Sequence, residues 1–128
     1  MINKVGQIML YVNNQDEAVR FWTEIVGFII ISEENNDQGM RWIEIAPSKD
    51  AETTLILHNK DFVAKMEPGL NLGTPSLMFF TDDLDQLYQH LIKQKIKVGQ
   101  VVSIPGGRVF NFADFEDHYF AVMEKGNN

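Results

Sequence analysis

Apolar and polar residues follow one another at the start of the chain in a pattern that predicts a strand and then a helix. The run QIMLYV, residues 7–12, is apolar apart from Gln7 and is typical of a buried strand. Asn14 is suited to cap a helix over QDEAVRFWTEIV, residues 15–26, and Gly27 is suited to its left-handed end. One core-facing stripe recurs at helical spacing within that segment, namely Ala18, Phe21, Trp22 and Ile25.

Three more strand-like runs follow this helix, and then the whole order repeats. The runs are FIIISEE, MRWIEIA and TTLILH, separated by turn-rich segments. From about residue 76 the pattern predicts a strand in SLMFFT, a helix in DDLDQLYQHLIKQK and three strands near 97–104, 107–113 and 119–124. We therefore predict a single domain over residues 1–128 that contains two β-α-β-β-β modules, at about 1–60 and 75–126.

The two copies keep the same strand register. When the two copies are aligned, residues 7–11, 41–46 and 55–57 match residues 76–80, 108–113 and 120–122 in the same order. The starts of the two helices match as well. A slip of one residue would turn each side chain to the other face of its strand, so this agreement favours duplication. Arg41 and Arg108 fall at equivalent positions, which indicates a repeated structural role.

Alternate strand positions separate an aliphatic face, which the helices should cover, from a mixed face. The mixed face combines aromatic and Met side chains with amide, carboxylate and imidazole groups. That mixture suits a concave ligand cavity better than a solvent-washed surface or a sealed core. We predict that the ligand-binding residues there are Gln7, Met9, Tyr11, Trp42, Glu44, His58, Ser76, Met78, Phe80 and Asn111.

Composition narrows the classes of function. The chain has 45% hydrophobic and 23% charged residues, which is typical of a folded globular domain. No apolar run is long enough to span a bilayer and no secretory signal is evident, so we expect a cytoplasmic protein without membrane contact. The net charge of -7 disfavours a nucleic-acid partner and fits a neutral or cationic small molecule better. Because there is no cysteine, a metal would need His, Asp or Glu.

Four segments carry a resemblance to a known family, namely QIMLYVNNQDEAVRFWTEIVGF, MRWIEIAPS, FFTDDLDQLYQHL and FADFEDHYFAVME. Together they resemble the vicinal oxygen chelate superfamily, which contains glyoxalase I, extradiol dioxygenases and bleomycin-binding proteins. The resemblance implies an α+β, glyoxalase-like fold in which two βαβββ modules form a concave sheet cavity with helices on the outer face. It also implies a homodimer. Phe115 and Asp117 stand where the family's usual turn has Pro and Gly.

In metal-dependent members the resemblance implies ligands at four positions, which in this sequence are Gln7, Ile56, Ser76 and Ala121. Ile56 and Ala121 have no donor atom, and the neutral oxygens of the other two hold a divalent ion weakly. We therefore expect neither a metal nor another cofactor. Glu44 and His58 form a minimal alternative pair for a non-standard metal site.

The leading hypothesis is a metal-independent small-molecule binding protein that sequesters a cationic or aromatic compound. The alternative is a lyase or isomerase of the glyoxalase kind, using a non-standard metal site or Glu44 or His58 as general base. Whether the chain is an enzyme stays open at this point. The connection over residues 59–75 is either a surface link or a flap over the cavity, and His90 and His118 are expected to be surface residues.

Overall fold

The computed structural model, which describes residues 1–126, contains eight strands and three α-helices. The first helix ends in a π-helical stretch over Phe21–Ile25. In chain order the elements are β1 (Gln7–Val12), α1 (Gln15–Arg20), β2 (Ile29–Asn35), β3 (Arg41–Ala46), β4 (Thr54–Asn59), α2 (Lys60–Met66), β5 (Met78–Phe80), α3 (Leu84–Lys93), β6 (Val102–Ile104), β7 (Gly107–Ala113) and β8 (Tyr119–Lys125). None of these helices has the length and apolar character needed to cross a bilayer.

The chain divides into two compact modules, Met1–Pro75 and the segment from Ser76 onward. The first sheet has the strand order β1-β4-β3-β2, in which β1 runs parallel to β4 and the other neighbours are antiparallel. The second sheet has the order β5-β8-β7-β6 with the same pattern of directions. The predicted α+β class and the repeated βαβββ unit are therefore confirmed.

Strand pairing agrees with the register of the predicted duplication. Met9 pairs with Ile56 in the first module, and their counterparts Met78 and Ala121 pair in the second. Since one-residue slips exchange the two faces of a strand, equal pairing means that both modules present corresponding residues on corresponding faces.

Helix α1 begins and ends as its sequence indicates. The Asn14 carboxamide oxygen accepts from the Glu17 backbone N–H at 3.0 Å, and Gly27 adopts a φ of 93°. Phe21 and Trp22, in the middle of the predicted stripe, are fully buried. The segment predicted as one continuous helix widens to π-helical geometry from Phe21, a change that residue periodicity does not report.

A buried amide fastens α1 to the first sheet. Gln15 is 8% exposed, and its Nε2 donates to the backbone oxygen of Arg41 at 2.8 Å and to that of Leu57 at 2.9 Å. These acceptors belong to β3 and β4, so one side chain joins the helix to two strands. Burying an amide costs little free energy when both of its N–H groups are hydrogen-bonded. Loss of this side chain would remove a donor from each of the two backbone oxygens.

Helix α3 covers the second sheet in the corresponding way. Leu84 and Leu91 are buried, and the ring of Tyr88 meets the ring of Phe110 edge to face at 4.9 Å. The backbone N–H of Leu84 donates to the Glu124 carboxylate at 3.0 Å. The aliphatic and aromatic face of this sheet is thus the covered one, as the alternation predicts.

Arg41 and Arg108 hold helix and sheet together in both modules, which supports the repeated structural role. Each guanidinium binds one carboxylate of a helix and one of a strand: Arg41 binds Asp16 and Glu33 at 2.8 and 3.0 Å, and Arg108 binds Asp85 and Glu124 at 3.0 and 2.9 Å. The hydrogen bond from Arg108 lowers the pKa of Asp85. Water screens these ion pairs, so they contribute little to the free energy of unfolding. Their role is to fix the position of each helix relative to its sheet.

Two segments differ from the predicted elements. The connection after β4 begins with helix α2, where the Asn59 side chain accepts from the Phe62 backbone N–H at 2.9 Å. The strand predicted near 97–104 is regular only at Val102–Ile104, and Val98 makes an isolated bridge to Phe112. Around this bridge the Gly99 N–H donates to the Asn111 oxygen at 2.8 Å and the Ala113 N–H to the Lys97 oxygen at 3.0 Å, without forming a regular strand.

Candidate functional site

A row of three ring-bearing side chains crosses neighbouring strands on one face of the first sheet. Tyr11 pairs with His58 between β1 and β4, and His58 pairs with Trp42 between β4 and β3. The rings of Tyr11 and His58 stack with centroids 6.0 Å apart and planes 21° apart. All three residues are half-buried. We call this set the aromatic row, Tyr11-His58-Trp42; ring side chains of this kind are those against which an aromatic group packs.

Two residues further along β3, a carboxylate is held on the same face. The Glu44 carboxylate accepts from the Ser32 hydroxyl at 3.1 Å and from the Thr54 hydroxyl at 2.7 Å. These hydroxyls come from the strands on either side of β3, so the carboxylate has a defined orientation. A carboxylate has about four acceptor positions, and two donors leave room for a ligand group.

Two clefts lie over this face and share Gln7 and Met9. The aromatic cleft has a volume of about 290 Å³ and is lined by Gln7, Met9, Asn36, Met40, Trp42, Ile56 and His58. The polar cleft has a volume of about 660 Å³ and is lined by Lys4, Gly6, Gln7, Met9, Glu44, Ala51, Glu52 and Thr54. The first is mainly apolar and aromatic and the second carries most of the charged groups.

The turn between β2 and β3 supplies two wall residues that the sequence analysis missed. The Asn36 side-chain oxygen accepts from the backbone N–H groups of Gln38 and Met40, at 3.0 and 2.9 Å. This Asx-type turn brings Asn36 and Met40 to the edge of the aromatic cleft. The sequence NNDQG predicts a turn at this place, but it does not predict that the turn lies beside the uncovered face of the first sheet.

His58 is the titratable group of the aromatic row. Burial lowers the pKa of His58, because an apolar environment disfavours the charged imidazolium. Its Nδ1 is shielded from solvent and has no hydrogen-bond partner among residues 1–126. The ring is therefore a neutral imidazole at pH 7, with an unused donor or acceptor position.

The lowered pKa of His58 predicts a pH-dependent contribution to stability. The folded chain keeps this ring neutral, while the unfolded chain binds a proton below about pH 6.5. We therefore expect the free energy of unfolding to fall as the pH drops below about 6.5, more steeply in the wild type than in His58→Gln. Urea denaturation across this pH range measures both, and equal slopes would contradict the prediction.

Gln7 is not buried as the opening strand pattern predicts. The residue is exposed, because β1 is the outer strand of its sheet and Gln7 is the first residue of β1. It remains on the same face as Met9 and Tyr11 and contributes to both clefts. The structure thus brings together on one sheet face the six residues predicted in the first module.

The four residues predicted in the second module lie on or beside the uncovered face of the second sheet. Met78 is 47% exposed and Phe80 64% exposed. Asn111 is exposed on β7, and Ser76 precedes β5. Lys125 places its ammonium 4.7 Å from the centre of the Phe80 ring. This face is more apolar than that of the first module.

The residues at the four family metal positions do not fit a metal ion. Ile56 and Ala121 lie at paired positions of their sheets and offer only hydrocarbon, and Gln7 and Ser76 offer neutral oxygens. Within residues 1–126, no three His, Asp or Glu side chains are grouped so as to hold a metal ion. Glu44 and His58 lie diagonally across β3 and β4, but no third His, Asp or Glu within the described part of the chain joins them.

The two remaining histidines differ from the expected surface residues. The Nδ1 atom of His118 is hydrogen-bonded to the carboxylate of Asp114 at 2.8 Å, and Asp114 is buried. Asp114 also accepts from the backbone N–H of Glu116 and of His118, both at 2.9 Å. It therefore holds the turn before β8, where the family's usual Pro and Gly are missing. His90 is half-buried on α3.

Two βαβββ modules, each with a helix on one sheet face and the other face uncovered, define the class of glyoxalase-like folds. The family model of the Glyoxalase/Bleomycin resistance protein/Dioxygenase superfamily matches residues 4–121. The chain therefore belongs to this superfamily, as its sequence motifs indicate.

Comparisons with individual proteins agree with this assignment. The chain is 30% identical over 125 residues to YetH of Bacillus subtilis (strain 168), which is described as uncharacterized. This match covers 97% of this chain and 100% of YetH. The crystal structure of TnmS3, an antibiotic binding protein from Streptomyces sp. CB03234, matches with a TM-score of 0.82 and 27% identity over 98% of both chains. A superfamily member from Sphaerobacter thermophilus DSM 20745 matches with a TM-score of 0.81 and 22% identity over 97% of this chain and 98% of its own.

Proposed function

We propose that the chain is a metal-independent small-molecule binding protein that sequesters an aromatic or cationic compound. The observation that carries this proposal is the aromatic row Tyr11-His58-Trp42 beside a cleft of about 290 Å³. A cleft of this size accepts a ring system of two or three fused rings, and Met9 and Met40 can adapt to its outline. Glu44 and Gln7 would orient its polar groups.

The relatives support binding. TnmS3 is described as an antibiotic binding protein, and it covers 98% of this chain at 27% identity. The donor chemistry at the family metal positions supports a site that works without a metal, because two of the four side chains are hydrocarbon.

The test is a panel of neutral and cationic planar compounds, namely naphthalenes, acridines and anthraquinones, followed by thermal unfolding of the full chain. A compound at about 100 times its Kd adds about 2.7 kcal/mol to the free energy of unfolding. We expect a saturable rise in Tm with at least one of these compounds. If none raises the Tm, the proposal is wrong.

Elemental analysis of the purified protein tests the metal independence separately. We expect substoichiometric amounts of nickel, zinc, iron and manganese, because hydrocarbon and neutral oxygen groups occupy the family positions. One tightly bound ion per chain would contradict metal independence and leave the aromatic binding site unaffected.

The alternative function is a lyase or isomerase of the glyoxalase kind, with His58 or Glu44 as general base. The observation in its favour is the low pKa of His58, which keeps the imidazole in its basic form at pH 7. Compounds that bind should then be incubated with the protein and followed for chemical conversion. Turnover that is lost in His58→Gln while the Kd of the compound is unchanged would favour this alternative.

We also propose a cytoplasmic homodimer. The family resemblance supports it, and so does the exposure of Met78, Phe80 and Tyr119 on the second sheet, which a second copy would cover. We expect light scattering after gel filtration to give about twice the 14.7 kDa chain mass. A Phe80→Asp variant should shift toward one chain mass, and a monomeric wild type would contradict the proposal.

A further inference from the structure

The two clefts of the first module differ in chemistry and adjoin each other. Gln7 and Met9 line both, so a ligand in the aromatic cleft can extend past them into the polar cleft. The polar cleft contains a carboxylate of fixed orientation, because two hydroxyl groups donate to Glu44. A ligand that fills both clefts needs a planar part and a polar part.

The distance between these parts follows from strand geometry. Trp42 and Glu44 are two residues apart on β3 and lie on the same face. Residues at this spacing are about 7 Å apart along a strand. A linker of about two or three carbon atoms spans that distance from a stacked ring to a group bonded to the carboxylate.

The charges of the polar cleft favour a cation. Two carboxylates, Glu44 and Glu52, face one ammonium, that of Lys4, so the cleft carries an excess negative charge. The neighbouring His58 ring is neutral at pH 7 and does not repel a positive group. The Glu44 carboxylate keeps free acceptor positions, and an ammonium N–H is the donor that forms the strongest hydrogen bond with it.

We propose that the site selects arylalkylamines, with the ring against the aromatic row and the ammonium bound to Glu44. This inference rests on the proposed function and adds the class of compound and the residue that discriminates. An aromatic alcohol of equal length would occupy the aromatic cleft, but its neutral hydroxyl would form no ion pair with the Glu44 carboxylate. The preference for amine over alcohol is therefore the property to measure.

The experiment compares naphthylethylamine with naphthylethanol by isothermal titration calorimetry on the full chain. We expect the wild type to bind the amine about tenfold more tightly, because only the amine forms an ion pair with the Glu44 carboxylate. In Glu44→Gln the ratio of the two Kd values should fall to about two, while the affinity for the alcohol is unchanged. Glu24→Gln removes the same charge from an exposed position on the first helix and should keep the tenfold ratio.

The outcomes separate this inference from the proposed function. Equal binding of amine and alcohol by the wild type would overturn the inference while leaving aromatic binding intact, and this comparison requires no substitution. A tenfold ratio that persists in Glu44→Gln would overturn the role of Glu44. Binding of neither compound would overturn the inference, while the compound panel described above tests the proposed function separately.

Discussion

A Trp42→Ala variant is expected to bind planar aromatic compounds about 30-fold to 100-fold more weakly than the wild type, a loss of about 2–3 kcal/mol. Trp42 ends the aromatic row beside His58 and forms a wall of the aromatic cleft, so its removal deletes the larger of the two rings that line this cleft. Titration calorimetry with naphthylethylamine measures the change. The effect should be largest for the widest ring systems, because these cover the most indole surface.

Trp42→Phe is the matched control for this result. It keeps an aromatic ring at the same position, and we expect its Kd to lie within about fivefold of the wild-type value. Trp22 is the other tryptophan of the chain and is fully buried, so a ligand-dependent fluorescence change in the wild type that disappears in Trp42→Phe reports binding at the cleft. A Trp42→Ala variant with wild-type affinity would show that the ligand binds elsewhere.

A Gly107→Ala variant is expected to lose about 3 kcal/mol or more of stability. A Cβ at this position would overlap the backbone oxygen of Glu124 and lie 3.0 Å from the Cα of Lys125. Both belong to the backbone of β8, which cannot rotate away as a side chain would. Relief therefore requires β7 and β8 to separate at the end of their ladder, where Gly107 pairs with Lys125.

Gly69→Ala provides the comparison, since a Cβ at Gly69 meets no atom within 4 Å. We expect that substitution to change the free energy of unfolding by less than about 0.5 kcal/mol. Chemical denaturation of both variants and the wild type measures the contrast. A loss below about 1 kcal/mol for Gly107→Ala would mean that the two strands are less closely paired than the structure shows.

The sheets and their duplication could be predicted because a strand reports its two faces through a period of two. Leu10, Ile43 and Leu57 are buried, as the aliphatic alternation predicts, and the mixed face contains Trp42 and His58 as expected. This alternation does not determine which strands are neighbours in the sheet. The exposure of Gln7 follows from the position of β1 at the edge of its sheet, which is a property of the topology.

The strand residues that line the two clefts could be placed on one sheet face from the sequence, and the loop residues that line them could not. Asn36 and Met40 reach the aromatic cleft through an Asx-type turn, and Glu52 reaches the polar cleft from the loop before β4. Loop residues have no periodicity from which their direction could be inferred. The paired role of Asp114 and His118 was hidden for the same reason, because both lie in a turn.

The duplicated modules carry different chemistry at equivalent positions. Trp42 and Glu44 of the first module correspond to Val109 and Asn111 of the second, as the strand pairings with His58 and Met123 show. At these two positions the first module therefore holds an indole and a carboxylate, and the second holds an aliphatic side chain and an amide. Substitutions on that sheet face should affect recognition more strongly than equivalent substitutions on the second.

Arg41 and Trp42 are neighbours on β3, and alternate residues of a strand point to opposite faces. The guanidinium that joins α1 to the sheet thus lies on one side, and the ring that lines the aromatic cleft lies on the other. Mutagenesis libraries restricted to Met9, Trp42, Glu44 and His58 would leave this anchor untouched. The first module is consequently a scaffold that protein engineers could retarget to new aromatic compounds without redesigning its architecture.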